Sequence, residues 1–119
     1  MAERLPPEVQ QQLVKLQQLQ AQLNQIMTEK ALLQQELRDI TRALDILKDV
    51  PEDAEVYRSS GHLLIRISKS DAEKELNERK ELIELRLKTL DKQESLIRQQ
   101  ISELQSKVNQ AVAGLYKKQ

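Results

Sequence analysis

Apolar residues recur at alternating steps of three and four along two long stretches of this chain. The positions of the first repeat, apolar except at Lys30, are Leu16, Leu19, Leu23, Ile26, Lys30, Leu33, Leu37, Ile40, Leu44 and Leu47. Those of the second, apolar except at Lys80 and Glu94, are Leu76, Lys80, Ile83, Leu87, Leu90, Glu94, Ile97, Ile101, Leu104, Val108, Ala111 and Leu115. A seam with period 3.5 is typical of helices that pack as a left-handed coiled coil.

Local signals predict where the two helices begin and end. The dipeptide Pro7-Glu8 favours a helix start, because proline fits the first helical position and an acid complements the helix dipole. The residue before a proline is disfavoured in a helix, so Pro51 predicts an end just before it. Further on, Ser70-Asp71-Ala72-Glu73 has the spacing of a capping box. The sequence thus predicts helices over residues 7–49 and 70–116.

The stretch between the helices has the character of a β-hairpin. Residues 54–68 are rich in β-branched and aromatic side chains on both sides of Ser60-Gly61, a dipeptide that favours a tight turn. A two-residue turn at this dipeptide pairs Val56 with Ile65. One face of the hairpin is then almost entirely apolar.

Such a hairpin is not expected to stand alone. A two-stranded sheet is marginal in water, and this one has two unpaired edges and an apolar face. We therefore expect hairpins of other copies, or of a related subunit, to cover it and close into a sheet or barrel. The residues expected at this assembly surface are Val56, Tyr57, Leu63, Leu64, Ile65 and Ile67.

Antiparallel helices joined by a hairpin bring both chain ends together. The apolar residues expected there are Leu5, Val9 and Leu13 beside Ala111, Val112, Leu115 and Tyr116. Since Leu13 and Val112 lie beside the minimal seam, the apolar stripe is wider than two helices need. One interpretation is a pair of fraying ends with leftover apolar residues, which surfaces tolerate. The other is a flexible clamp for exposed hydrophobic segments of another protein, with several clamps on one platform gaining avidity.

Two charged residues that interrupt the seams, Lys30 and Glu94, are expected at similar levels of the two helices. In one interpretation each reaches solvent separately. In the other they form an interhelical ion pair that fixes the register of the helices. Both alternatives remain open from the sequence.

Composition argues against several classes of protein. Phe, Trp and Cys are absent and 32% of residues are charged, which suits elongated helices rather than a globule. Basic and acidic residues balance at 19 each, which disfavours nucleic-acid binding. No apolar run approaches the roughly 20 residues of a membrane span, and the seams are too narrow for a helix lying on a membrane. With no signal-peptide pattern at the start and no cysteine, we expect a cytoplasmic protein.

Residues for catalysis are missing from the sequence. It has no glycine-rich phosphate loop, no paired metal ligands and no nucleophile beside a base. The single histidine, His62, lies at the expected turn, where a structural or solvent-facing role is far more common than a catalytic one. The carboxylates alternate with Lys and Arg as on a solvated helix surface. We expect no enzyme activity, no metal and no cofactor.

Several segments resemble the prefoldin beta subunit family, especially its archaeal form. Beside the Gln-rich first helix, they are Leu5-Pro6-Pro7-Glu8-Val9-Gln10, Val56-Tyr57-Arg58-Ser59-Ser60-Gly61-His62-Leu63-Leu64-Ile65 and Glu81-Leu82-Ile83-Glu84-Leu85-Arg86-Leu87-Lys88-Thr89-Leu90. The single hairpin in mid-coil is the more specific feature, because alpha-type subunits carry two. The similarity spans essentially the whole chain, as one prefoldin-like domain over residues 1–119.

The resemblance implies a heterohexamer of two alpha and four beta subunits, with six coiled-coil tentacles on a double β-barrel platform. It also implies an ATP-independent holdase that captures unfolded proteins at the tentacle tips and passes them to a group II chaperonin. Lys117 and Lys118 are candidates for chaperonin contact because they are terminal. Client binding then falls to a terminal surface made of Leu5, Val9, Leu13, Val112, Leu115 and Tyr116.

The alternative is a structural coiled-coil scaffold or tether subunit whose ends bind one folded partner. A specific partner site is expected to show aromatic or Arg anchors. The generic aliphatic residues at the chain ends favour the chaperone interpretation.

Overall fold

A computed structural model of the protein describes residues 5–117. The elements follow the order α1 (Pro7–Lys48), β1 (Val56–Ser60), β2 (Leu63–Ile67) and α2 (Lys69–Lys117). The two strands form one antiparallel sheet, which lies between the two long helices in the sequence. The fold class predicted from the sequence, a pair of long helices with a central β-hairpin, is confirmed.

The chain divides into two compact units. Unit 1 comprises Met1–Glu29 and Thr89–Gln119, and unit 2 comprises Lys30–Lys88. Unit 1 therefore holds the beginning of α1 and the end of α2, whereas unit 2 holds the rest of both helices and the hairpin.

The predicted seams are the buried faces of both helices. Every seam position of α1 from Leu16 to Leu47 is buried or half-buried, and so is every seam position of α2 from Leu76 to Ala111. In unit 1, Leu19, Leu23 and Ile101 form a buried cluster against which Leu16, Ile97 and Leu104 pack. In unit 2, Ile83 is almost fully buried. Since burying one such side chain stabilises the fold by about 1.5–3 kcal/mol, the seams are the main source of stability.

The hairpin register differs from the prediction. Val56 pairs with Ile67 and Ser60 with Leu63, so the turn is Gly61-His62 and the predicted pairing of Val56 with Ile65 is wrong. The reason is backbone geometry: Gly61 has a φ of 58° and no described non-glycine residue has a positive φ, the pattern of a type II′ turn. Because the register moves by two residues, each face of the hairpin keeps its predicted members.

Helix α2 begins earlier than the predicted capping box. The Oγ of Ser68 accepts a hydrogen bond from the backbone N–H of Asp71 at 3.0 Å. The carbonyl of Ser68 accepts one from the N–H of Ala72 at 2.9 Å. Ser68 is therefore the N-cap, and the capping role predicted for Ser70 is wrong. The hairpin ends at Ile67, so the next residue is already placed to cap the helix.

The end of α1 is tightened and capped within unit 2. The N–H groups of Asp49 and Val50 donate to the carbonyls of Ile46 and Leu47 at 3.3 and 3.1 Å, as in a 3₁₀ turn. The Nζ of Lys69 donates to the carbonyl of Lys48 at 3.4 Å. This bond links the end of α1 to the start of α2 and so supports the base of the hairpin.

Candidate functional site

The hairpin of unit 2 presents large apolar side chains to solvent. Leu63 and Leu64 are 66% and 72% exposed, and Tyr57 and Ile65 are exposed as well. Within the described part of the chain the sheet has only two strands, so each strand keeps one unpaired edge. Exposed leucines beside free strand edges are typical of a surface that another strand covers.

The other two residues of the predicted assembly surface, Val56 and Ile67, are half-buried within the chain. They pair with each other at the base of the hairpin and line a groove of about 390 Å³ between the hairpin and both helices. The groove is mainly apolar; its lining includes Ile46, Leu47, Ala72 and Leu76. The structure thus separates the six residues into four that face solvent and two that attach the hairpin to its own helices.

Ion pairs and hydrogen bonds fix the hairpin on both of its faces. On the groove side, Nη1 of Arg58 donates to Oε1 of Glu75 in α2. On the opposite face, the hydroxyl of Tyr57 donates to Oε2 of Glu55 at 2.9 Å, and Nη1 of Arg66 lies 3.9 Å from Oε1 of the same carboxylate. Both members of the Arg58–Glu75 pair are nearly half exposed, so it orients the hairpin more than it stabilises it.

A bidentate ion pair joins α1 to α2 in unit 2. Nε and Nη2 of Arg79 donate to the two carboxylate oxygens of Glu36 at 3.0 and 2.8 Å. These hydrogen bonds, with the positive charge of Arg79, lower the pKa of Glu36 below its ordinary value, although partial desolvation opposes them. Planar two-point pairing fixes both distance and orientation, so this pair sets the helix register in unit 2.

One of the two alternatives predicted from the sequence assigns that register role to Lys30 and Glu94. The two residues belong to different units, and their pairing stays a prediction. Glu94 accepts a hydrogen bond from Nε of Arg98 at 2.8 Å, within α2. Glu36 and Arg79 lie just beside the seam, so the seam pattern itself carries no signal of their pairing.

The terminal surface is partly buried within unit 1. Val9 is 4% exposed, so its side chain packs inside the helix pair. Leu5, Leu13 and Val112 are half-buried. Leu115 and Tyr116 are 37% and 72% exposed and are the members of this surface that face solvent. Of the two lysines considered for chaperonin contact, Lys118 lies outside the described residues.

One polar residue occupies the seam next to this surface. Gln12 lies four residues before Leu16, and its Oε1 is shielded from solvent without a hydrogen-bond donor among the described residues. The sequence prediction missed Gln12 because the seam was counted from Leu16. Counting one step further back would have found it.

The described part of the chain was also compared with the requirements of a metal site and of a membrane span in turn. Residues 5–117 contain no group of three or more His, Cys, Asp or Glu side chains placed to hold a metal ion. Neither α1 nor α2, as far as they are described, has an apolar stretch long enough to cross a bilayer. His62 is exposed in the hairpin turn.

Comparison with known proteins gives matches along nearly the whole chain. A model of the family described as "Prefoldin subunit" matches residues 10–114. The chain is 49% identical over 116 residues to prefoldin subunit beta of Sulfurisphaera tokodaii, a match that covers 98% of this chain and 93% of that protein. It is 48% identical over 116 residues to prefoldin subunit beta of Saccharolobus islandicus, with 98% and 92% covered.

A solved structure shares the fold. The crystal structure of the prefoldin beta subunit from Thermococcus strain KS-1 is similar with a TM-score of 0.79 and 35% sequence identity. The match covers 91% of this chain and 95% of that one. The chain therefore belongs to the prefoldin subunit family, and the resemblance to its beta subunits is confirmed.

Proposed function

We propose that this chain is one subunit of a hetero-oligomeric holdase that captures unfolded proteins without ATP and delivers them to a group II chaperonin. Members of the prefoldin family are chaperone subunits. The observation that carries the proposal is the hairpin of unit 2, whose exposed leucines and unpaired edges are typical of a surface that a partner covers. In this proposal the protein works as an assembly and not as a single chain.

The hairpin is the proposed assembly surface. Its partners are the hairpins of a prefoldin alpha subunit and of other copies of this chain, in a heterohexamer of two alpha and four beta subunits. Pairing of strand edges satisfies the free backbone groups, and closure into a barrel removes the remaining edges. Tyr57, Leu63, Leu64 and Ile65 are then buried between subunits, while Val56 and Ile67 hold the hairpin to its own helices.

The terminal surface is the proposed client site. Leu115 and Tyr116 offer apolar contact area without a defined set of hydrogen-bonding groups, which suits segments of varied sequence. Each such contact is weak, but several copies in one assembly raise the effective concentration of contacts around one client. Binding the unfolded state lowers the concentration of free aggregating chain, and weak individual contacts permit release.

The test compares aggregation of a chemically unfolded client in the presence of the assembled complex and of two variants. In the first variant Leu115 and Tyr116 are both replaced by Ser. In the matched control, Leu82 and Leu85 of α2, which are 60% and 62% exposed and lie in unit 2, are replaced by Ser. We expect wild type and control to suppress light scattering, and the terminal variant to require several-fold more complex for the same suppression.

Two results would count against the proposal. A terminal variant as effective as wild type would remove the terminal surface as the client site. An assembled wild-type complex without any effect on scattering would remove the holdase function and favour a coiled-coil scaffold or tether with one folded partner.

A further inference from the structure

We propose that Gln12 keeps the terminal part of unit 1 poised to open, and that opening presents Val9 and Val108 to an unfolded polypeptide. The inference rests on the proposed function and deepens it, because it names the residue that controls access to the client site. It also explains how Val9, which is buried in the closed arrangement, takes part in capture.

Gln12 occupies a position that the heptad pattern reserves for an apolar side chain. It precedes Leu16 by four residues, so both lie on the same face of α1. Leu16 and Leu104 pack against the same buried cluster, and Val108 lies four residues beyond Leu104. Continuing that register outward sets Gln12 opposite Val108.

The side-chain carbonyl oxygen of Gln12 is not satisfied in this position. Its Oε1 is shielded from solvent, and none of the described residues donates a hydrogen bond to it. Val9 and Val108 are 4% and 7% exposed, so the apolar seam is closed to solvent at this level. A buried carbonyl oxygen without a donor is unfavourable relative to the same group in water. The closed arrangement is therefore weakened at this level of the seam.

Opening relieves that penalty and creates a binding surface. Water hydrates Oε1, which offsets part of the cost of exposing the two valines. Val9 and Val108 then join Leu115 and Tyr116 as apolar contacts. The backbone N–H groups of an extended client supply the donors that Oε1 lacks. The ligand class that fits is an extended polypeptide with apolar side chains and unpaired backbone amides.

Replacing Gln12 with an apolar residue is expected to weaken client capture, although it makes the protein more hydrophobic. Replacing Gln12 with Leu completes the apolar seam, so the closed arrangement becomes more stable and Val9 and Val108 stay hidden. A more apolar protein is then a weaker holdase. If exposed apolar area alone governed capture, the same substitution would leave capture unchanged.

The experiment measures opening and capture separately in the assembled complex. Hydrogen exchange of the amides at residues 9–16 reports opening without any client, and suppression of light scattering by an unfolded client reports capture. The matched control is Gln11→Leu, the same substitution at the adjacent exposed position. We expect Gln12→Leu to slow exchange at residues 9–16 about tenfold, with no change at residues 19–23, and to weaken capture several-fold. Gln11→Leu is expected to change neither.

Each other outcome has a definite meaning. Unchanged exchange in Gln12→Leu overturns the proposal, because Gln12 then does not control opening. Slower exchange with unchanged capture also overturns it, because opening then does not present the client surface. A wild-type complex that suppresses no scattering overturns the proposed function, whereas an exchange difference in the same samples still establishes the opening.

Discussion

The pair between Arg79 and Glu36 shows at the residue scale how a partly exposed contact sets register. Seam leucines alone tolerate slippage, because neighbouring heptads look alike. The guanidinium of Arg79 donates to both oxygens of the Glu36 carboxylate, at 3.0 and 2.8 Å. Both hydrogen bonds can form in only one alignment of α1 and α2 in unit 2. The main contribution of this pair is therefore alignment, and its free energy is small because solvent screens both side chains.

The lowered pKa of Glu36 predicts an acid-sensitive contribution to stability. Hydrogen bonds from Arg79 depress the folded-state pKa below the ordinary value of 4.5. The stabilisation is therefore fully present above the unfolded-state value and is lost as pH falls through the folded-state value. We expect Glu36→Gln to reduce the free energy of unfolding by less than about 1 kcal/mol at neutral pH. The difference from wild type should shrink as pH falls below that ordinary value.

Denaturant unfolding of both proteins at neutral and at acidic pH measures this difference. The control is Glu84→Gln, which replaces an exposed carboxylate elsewhere on α2. Its free energy of unfolding should match that of wild type at both pH values. A difference between wild type and Glu36→Gln that persists unchanged in acid would show that the carboxylate charge is irrelevant.

Residue-scale contacts were the least predictable part of the molecule. Arg58 and Glu75 are 17 positions apart and Glu36 and Arg79 are 43 apart, so no local pattern links them. Their pairing depends on the rotation and stagger of the helices, which shift with small packing changes. Gln12 was different, because extending the heptad by one step reveals it.

At the element scale, periodicity carried most of the information. A side chain at every third and fourth position faces the partner helix, so the buried faces of α1 and α2 follow directly from the repeat. The turn and the cap were harder because neighbouring residues compete for each role. Ser60-Gly61 and Gly61-His62 both supply a glycine, and Ser68 and Ser70 both suit a cap. In the structure, the positive φ of Gly61 identifies Gly61-His62 as the turn. The end of β2 at Ile67 makes the next residue, Ser68, the cap.

The choice of Ser68 as the N-cap of α2 gives a matched pair of substitutions. Ser68→Ala removes the acceptor for the N–H of Asp71, so we expect the free energy of unfolding to fall by about 1 kcal/mol. Ser70→Ala lies inside the first turn and should change the free energy of unfolding by less than about 0.5 kcal/mol, since alanine is a good helix former. Chemical denaturation of the two variants measures both values. Equal losses would mean that the serines share the capping role.

At the scale of the whole molecule, the two candidate surfaces differ in how completely the single chain buries them. Leu63 and Leu64 of the hairpin are largely exposed in unit 2, and strand chemistry alone is enough to predict an assembly surface there. For the terminal surface, the sequence predicts the region but not which of its side chains are buried. The burial of Val9 and the exposure of Tyr116 depend on how the last turns pack in unit 1.

Leu64 offers the sharpest test of assembly through the hairpin. It is 72% exposed in the single chain, so Leu64→Lys should leave the fold and its helix content intact. Burying an unpaired ammonium between subunits is unfavourable, so the same substitution should prevent assembly. Leu82→Lys is the control, because Leu82 is 60% exposed on α2 and lies outside the hairpin.

Sedimentation velocity of each variant, mixed with its natural partner subunit, distinguishes the assembled complex from free chains. Circular dichroism checks the helix content of the same samples. We expect Leu64→Lys to sediment as free chain with normal helix content, and Leu82→Lys to assemble as wild type does. Normal assembly of Leu64→Lys would mean that the face carrying Tyr57 and Leu64 stays in solvent. The partner strands would then have to cover the opposite face, where Leu63 and Ile65 lie.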